Sequence, residues 1–177
     1  MGFSPIDVLA REAREAGLLC AQRSSSELDL AFAPAGGSGG GRVRVHCSTD
    51  GSSFISVSAS SDLRVPAPLR RRVAELLAAV NAGYARGGVF LLDLASGEVR
   101  CRASHGLCSR AGPDAAAART LVDGAWKASL LDAATHYYVV ERALALLLGD
   151  ASLRSAFINH DTVAAMSAFI LQEIGDL

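Results

Sequence analysis

The sequence predicts an α+β fold: one domain over residues 1–177, with an antiparallel sheet of about five strands flanked by helices. Two observations carry this prediction. Segments with an apolar residue at every second position cluster between segments whose apolar residues recur at helical spacing. Short Gly-containing turns then join the strand-like segments in pairs. Half of the residues are hydrophobic and 20% are charged, a globular composition. A chain of this length buries roughly 70% of the surface its unfolded form exposes, so a core forms without staples. The expected order is α-β-β-β-α-β-β-α-α, with residues 1–148 as the α+β core and residues 150–177 as a C-terminal helical extension.

Ser4-Pro5-Ile6-Asp7 opens the first helix, with a hydroxyl cap, a proline whose missing N–H costs nothing there, and an acid at the positive end of the dipole. Ile6, Leu9, Ala10, Ala13 and Ala16 form its apolar stripe, Asp7 and Arg11 are spaced for an i,i+4 pair, and Gly17 stops it. From Glu27 the period changes to two, with Leu28, Leu30 and Phe32 facing one side. Gly36–Gly41 has no Lys or Ser/Thr placed for a phosphate loop and reads as a solvated linker.

The next two strands are Arg42–Cys47 and Phe54–Ala59. A three-residue loop at Thr49-Asp50-Gly51 sets Val45 opposite Ile55 and Val43 opposite Val57, turning Arg42, Arg44 and His46 outward. A two-residue Asp-Gly turn mixes the faces, so the longer loop is expected. A helix follows over Pro68–Tyr84, burying Leu69, Val73, Leu76, Leu77, Val80 and Tyr84 and presenting Arg70, Arg71, Arg72 and Glu75. Three arginines in a first turn oppose the helix dipole and read as a solvated face.

After Gly87-Gly88, a two-residue turn at Ser96-Gly97 pairs Phe90 with Ala103, Leu92 with Cys101, Leu94 with Val99, and Asp93 with Arg100. Cys101 is then a core residue. Beyond Gly112-Pro113, helical character runs to Leu148, with Asp123 and Lys127 spaced for a pair; few domains of this size cover a helix of ~54 Å, so a break near Gly124 is expected. A last helix spans about Asp161–Ile174 and offers Val163, Met166, Phe169, Ile170 and Ile174 as its apolar residues, to the core or to another chain.

Seventeen basic residues stand against 18 acidic ones, for a net charge of −1, which argues against a nucleic-acid or membrane-surface binder. Cys20, Cys47, Cys101 and Cys108 form no CxxC pair and have no histidine at metal-ligand spacing, so no metal or cofactor is expected and a reduced, cytoplasmic chain fits best. No run of ~18 apolar residues spans a membrane, and the N-terminus has neither a signal-peptide nor a myristoylation pattern.

Asn81, Gly88, Phe90-Leu91-Leu92-Asp93, Gly97-Glu98-Val99 and Arg100-Cys101-Arg102 form a helix end, a glycine, an F-x-L-D strand, a Gly turn and a strand with alternating basic residues. This pattern resembles the YbjN family, which is similar in fold to type III secretion chaperones, small dimeric α+β proteins that hold client segments in extended form. The resemblance covers roughly Pro5–Leu148 and marks Asn81, Gly88, Phe90, Leu92, Asp93, Gly97 and Arg100 as structural signature positions. The Gly-rich loop and the last helix depart from it.

The expected function is a non-enzymatic protein-interaction module, chaperone-like or regulatory, acting as a homodimer that binds a protein segment; strand addition at an open sheet edge is one mode. An alternative is a small-molecule sensor with an apolar pocket walled by Trp126, Tyr137 and Tyr138. The other is a Cys/His enzyme drawing on His46, His105, His136 or His160, with Cys108 three residues after His105; no nucleophile motif supports it.

Overall fold

In the inner strands every second residue faces one apolar layer, and the helices of the described residues gather on that side. The structure, a computed structural model, describes residues 5–32, 43–49, 54–83, 88–106 and 115–176. Its elements run α1 (Pro5–Glu15), β1 (Leu19–Ser24), β2 (Glu27–Phe32), β3 (Val43–Thr49), β4 (Phe54–Arg64), a 3-10 turn (Ala67–Leu69), α2 (Arg70–Gly83), β5 (Val89–Leu92), β6 (Glu98–Gly106), α3 (Ala115–Gly149), α4 (Ala151–Ala156) and α5 (His160–Gly175). The fold is α+β, and the six strands form one antiparallel sheet in the order β1-β2-β3-β4-β6-β5. Strands β1 to β4 are a meander; α2 then carries the chain past the position of β6 to place β5 at the far edge.

Among the described residues the sheet has six strands rather than about five. The additional one, Leu19–Ser24, escaped the alternation test because it is an edge strand whose residues are nearly all exposed, with only Cys20 half-buried. A single core joins Ile6, Leu9, Ala10 and Ala13 of α1, Leu28, Leu30, Val45, Cys47, Ile55, Val57 and Ala59 of the meander, Val73, Leu76, Leu77 and Val80 of α2, and Phe90, Val99, Cys101 and Ala103 of the last hairpin. Ala16 is exposed. Asp7 accepts a bond from Gln22 (2.8 Å) and Arg11 pairs with Glu15 rather than with Asp7; the helix is thereby tied to β1.

Both predicted hairpins have the predicted faces and a different register. Cys47 pairs with Val57, Val45 with Ala59 and Thr49 with Ile55, so Thr49 is a strand residue rather than part of the loop; Asp50 and Gly51 of the predicted loop lie outside the described residues. In the last hairpin Phe90 pairs with Cys101, Leu92 with Val99 and Leu91 with Arg100. Leu94 is 63% exposed and belongs to the turn Asp93–Gly97 rather than to the buried wall. Each shift moves the partner by an even number of residues, which preserves which side chains face the core; apolar alternation fixes the face but cannot choose between such registers.

Helix α3 is unbroken over 35 residues, about 52 Å at 1.5 Å per residue. Gly124 does not interrupt it: an interior glycine costs only about 1 kcal/mol relative to alanine, which the alanine-rich neighbourhood absorbs. The side chains of 115–129 lie outside the described residues, as do the Asp123–Lys127 pair, Trp126, Tyr84 and the Gly36–Gly41 loop. Helix α5 packs on α2, where Leu171 occupies the space a Cβ on Gly83 would need.

Candidate functional site

With the helices on one side, the other side of the sheet is bare among the described residues, and its composition is unlike the core. Its central three strands present a grid. On β3 stand Arg44, His46 and Ser48; opposite them on β4 stand Ser60, Ser58 and Ser56; and opposite those on β6 stand Arg100, Arg102 and Ser104. The serines of β4 are half-buried while Arg44, Arg100 and Arg102 are exposed, so short side chains form a floor between taller walls. A concavity of about 430 Å³ lies over His46, Ser48, Ser56, Ser58, Ser60, Leu91, Glu98, Arg100 and Arg102. A second, of about 510 Å³, shares His46, Ser60 and Glu98 with it and continues over β2 and β1. The trough spans most of the sheet.

Most charges on this face are paired. Arg23 bonds Asp29 (2.6 Å), which also takes His46 Nδ1 (2.8 Å); burial works against ionisation of Asp29, but the bonds from His46 and Arg23 outweigh it and hold the carboxyl below its usual range. Arg44 pairs with Asp62. Arg100 bonds Glu98 (2.6 Å), with Arg64 farther off at 4.0 Å, and the Arg100 bond is the main reason the Glu98 carboxyl is held low. Arg102 differs: its Nε donates to Ser56 Oγ (3.1 Å), and among the described residues no carboxylate pairs with it.

The signature positions serve the sheet edge and its turn. Asn81, at the end of α2, donates its Nδ2 to the Phe90 carbonyl (2.9 Å) and accepts the Phe90 N–H at Oδ1 (2.8 Å). A side-chain amide thus stands where another strand would pair, sealing the β5 edge at Phe90. Asp93 lies in the turn, where its carboxylate accepts from Ser96 Oγ and Ala95 N (2.8 Å each); it does not sit opposite Arg100. Gly97 has φ +76°, and a Cβ there would lie 2.3 Å from the Val65 carbonyl oxygen. Its own carbonyl accepts from Val65 N (2.8 Å). Arg70 closes the assembly by donating to the carbonyls of Val65, Leu94 and Ala95. Gly88 packs near Cys101, and Leu92 is half-buried against the core.

The arginine cluster is thus not simply a solvated face: Arg70 clamps the turn and Arg72 bonds Glu75 and the Ile158 carbonyl, leaving Arg71 at the surface. Nothing in the helical period distinguishes the three.

Cys47 and Cys101 are fully buried, and burial pushes both thiols up to about 12, which makes them poor nucleophiles. Adjacent strand residues point to opposite faces, so His46 on the bare face cannot reach the Cys47 thiol in the core. Cys20 is half-buried, its thiol 3.8 Å from the Ala10 carbonyl. His136 is buried, which lowers its pKa, and His160 opens α5. Cys108 and the His105 side chain lie outside the described residues. Tyr137 is core, bonding Ser61 Oγ (2.9 Å) through its hydroxyl, whereas Tyr138 faces outward, so the two do not share a pocket wall. Among the described residues no three His, Cys, Asp or Glu side chains are grouped to hold a metal, and no helix is long and apolar enough to cross a membrane.

Comparison of the chain with protein-family models, with curated proteins and with solved structures finds no match.

Proposed function

We propose that the chain is a non-enzymatic protein-interaction module, YbjN-like and chaperone-like or regulatory in role, that works in the cytoplasm as a homodimer and holds a protein segment in extended form on the bare face of its sheet. The observation that supports this reading most is the one-sided architecture: among the described residues six strands carry their helices on one face, while the other holds a polar trough along the 11-residue β4. A trough bounded by parallel walls suits a linear chain better than a compact metabolite. The self-association half of the proposal draws on a separate surface, where Leu146, Leu153, Ile158 and Phe169 are 43–63% exposed on the helical side, away from the trough.

Two measurements test the reading. Light scattering at micromolar concentration should give twice the monomer mass of 18.3 kDa. Hydrogen exchange with and without a library of unstructured peptides should slow amides of β3, β4 and β6 together; protection confined to the helices, or none with any peptide, rejects the trough as the binding face.

A further inference from the structure

We infer that the trough recognises an acidic extended segment, and that Arg102 with the β4 serines is the subsite for one of its carboxylates. The inference rests on the proposed binding role and adds the chemistry of the partner.

The spacing comes first. Ser56, Ser58 and Ser60 are alternate residues of one strand, so they stand ~6.8 Å apart, and the flanking strands lie ~4.8 Å to either side. The walls carrying Arg44 and His46 on one side and Arg100 and Arg102 on the other are therefore ~10 Å apart across a floor of hydroxyls. An extended peptide repeats every two residues at the same ~6.8 Å, so its alternate side chains fall opposite successive serines.

The charge comes next. Arg44, His46 and Arg100 each have a carboxylate of this chain within bonding distance. Arg102 has Ser56 Oγ instead, and its direct cross-strand neighbours on this face are Ser58 on β4 and Val89 on β5. Its guanidinium thus carries donors with no internal acid among the described residues, next to hydroxyls that also donate. A carboxylate from another chain completes that set: two oxygens accept from the Arg102 fork and from Ser58 or Ser56, a charge-assisted arrangement stronger than its neutral counterpart. Neither Val89 nor Leu91, 49% and 45% exposed beside the arginines, competes for the anion; they offer apolar contact to the residues between the acids. Net charge near neutral disfavours a polyphosphate backbone as the occupant.

The test uses the full chain and short fluorescein-labelled peptides with Asp, Asn or Lys at alternate positions and Val or Thr between, together with oligo-dT of similar length. Fluorescence anisotropy should show the Asp peptide binding at least about tenfold tighter than the Asn peptide, a loss of about 1.4 kcal/mol for one charge-assisted contact. Arg102→Ala should abolish that preference and Arg102→Lys should restore part of it, while Arg71→Ala on the exposed face of α2 leaves it unchanged. Equal binding of the Asp and Asn peptides, or an Asp preference that survives Arg102→Ala, overturns the acidic-segment assignment while leaving the binding module intact. Tighter binding of oligo-dT than of the Asp peptide overturns it in favour of a nucleic acid. No binding by any peptide overturns both.

Discussion

Gly17 and Gly97 share a backbone conformation, with φ +73° and +76°, but not an environment: a Cβ on Gly17 meets nothing within 4 Å, whereas one on Gly97 lies 2.3 Å from Val65 O. Alanine at either site adopts a left-handed conformation that costs about 1–2 kcal/mol, so Gly17→Ala measures that cost alone. At Gly97 the Val65 carbonyl must also retreat. This loosens the Val65 N to Gly97 O bond and the Arg70 bond to the same carbonyl, each contributing about 1 kcal/mol or more. Gly97→Ala should therefore cost about 3–5 kcal/mol in total, a large part of the 5–15 kcal/mol of an ordinary domain. Urea unfolding followed by far-ultraviolet circular dichroism gives both values, and a Gly97→Ala cost within about 1 kcal/mol of the Gly17→Ala cost refutes the clash argument. If Gly97→Ala does not fold, Arg70→Met removes the clamp without a new Cβ and should cost about 1.5–3 kcal/mol.

Two further outcomes follow from the core and the sealed edge. Asn81→Ala leaves the Phe90 N–H and carbonyl without their partner at the β5 edge, so it should lower stability by about 1–3 kcal/mol and raise aggregation at high protein concentration, read by urea melts and by scattering; Asn81→Asp, which keeps an acceptor and loses the donor, should fall between. Burial raises Cys47 and Cys101 from 9.0, and Tyr137 from 10.0, to about 12 in the folded state. The unfolded chain therefore ionises first, and stability is fully present below about pH 9 and falls as pH rises toward 12. Equilibrium melts across that window should show the decline, and Cys47→Ala with Cys101→Ala should reduce it to the part that Tyr137 contributes above about pH 10; native-state thiol titration at pH 8 should leave both cysteines unreacted.

The fold was legible wherever burial leaves a one-sided pattern. Leu28 and Leu30, Val45 and Cys47, and Val73, Leu76, Leu77 and Val80 are core residues in the structure as their spacing predicts. Strand β1 was not legible because an edge strand wet on both faces has no alternation to read. Registers were legible only to an even shift, since the turn geometry that selects among them depends on tertiary bonds such as those from Arg70 to the β5–β6 turn. The trough is half visible: alternation with Val43, Val45 and Cys47 turns Arg44 and His46 outward. What the sequence did not reveal is that β6 lies beside β4, because Ser58 and Arg102 are 44 positions apart and meet only through the crossing made by α2.

Arginine use on the two sides of the molecule sharpens the distinction between fold and function. On the helical side, Arg70 and Arg72 bond main-chain carbonyls at the β5–β6 turn and at Ile158. Those bonds explain why α2 tolerates cations in its first turn, against its dipole: the arginines fasten neighbouring segments that a better-placed acid could not reach. On the sheet side, Arg23, Arg44 and Arg100 are matched to carboxylates of the same face, which limits the net field over the trough and disfavours indiscriminate anion capture. Arg102 follows neither pattern: among the described residues it holds a serine hydroxyl and no carboxylate, in the middle of the grid. A surface otherwise neutralised pair by pair among the described residues gives a cation without an acid there more directional influence than a broadly basic patch would, so specificity at this face should depend on where a partner places a single acid rather than on how many acids it carries.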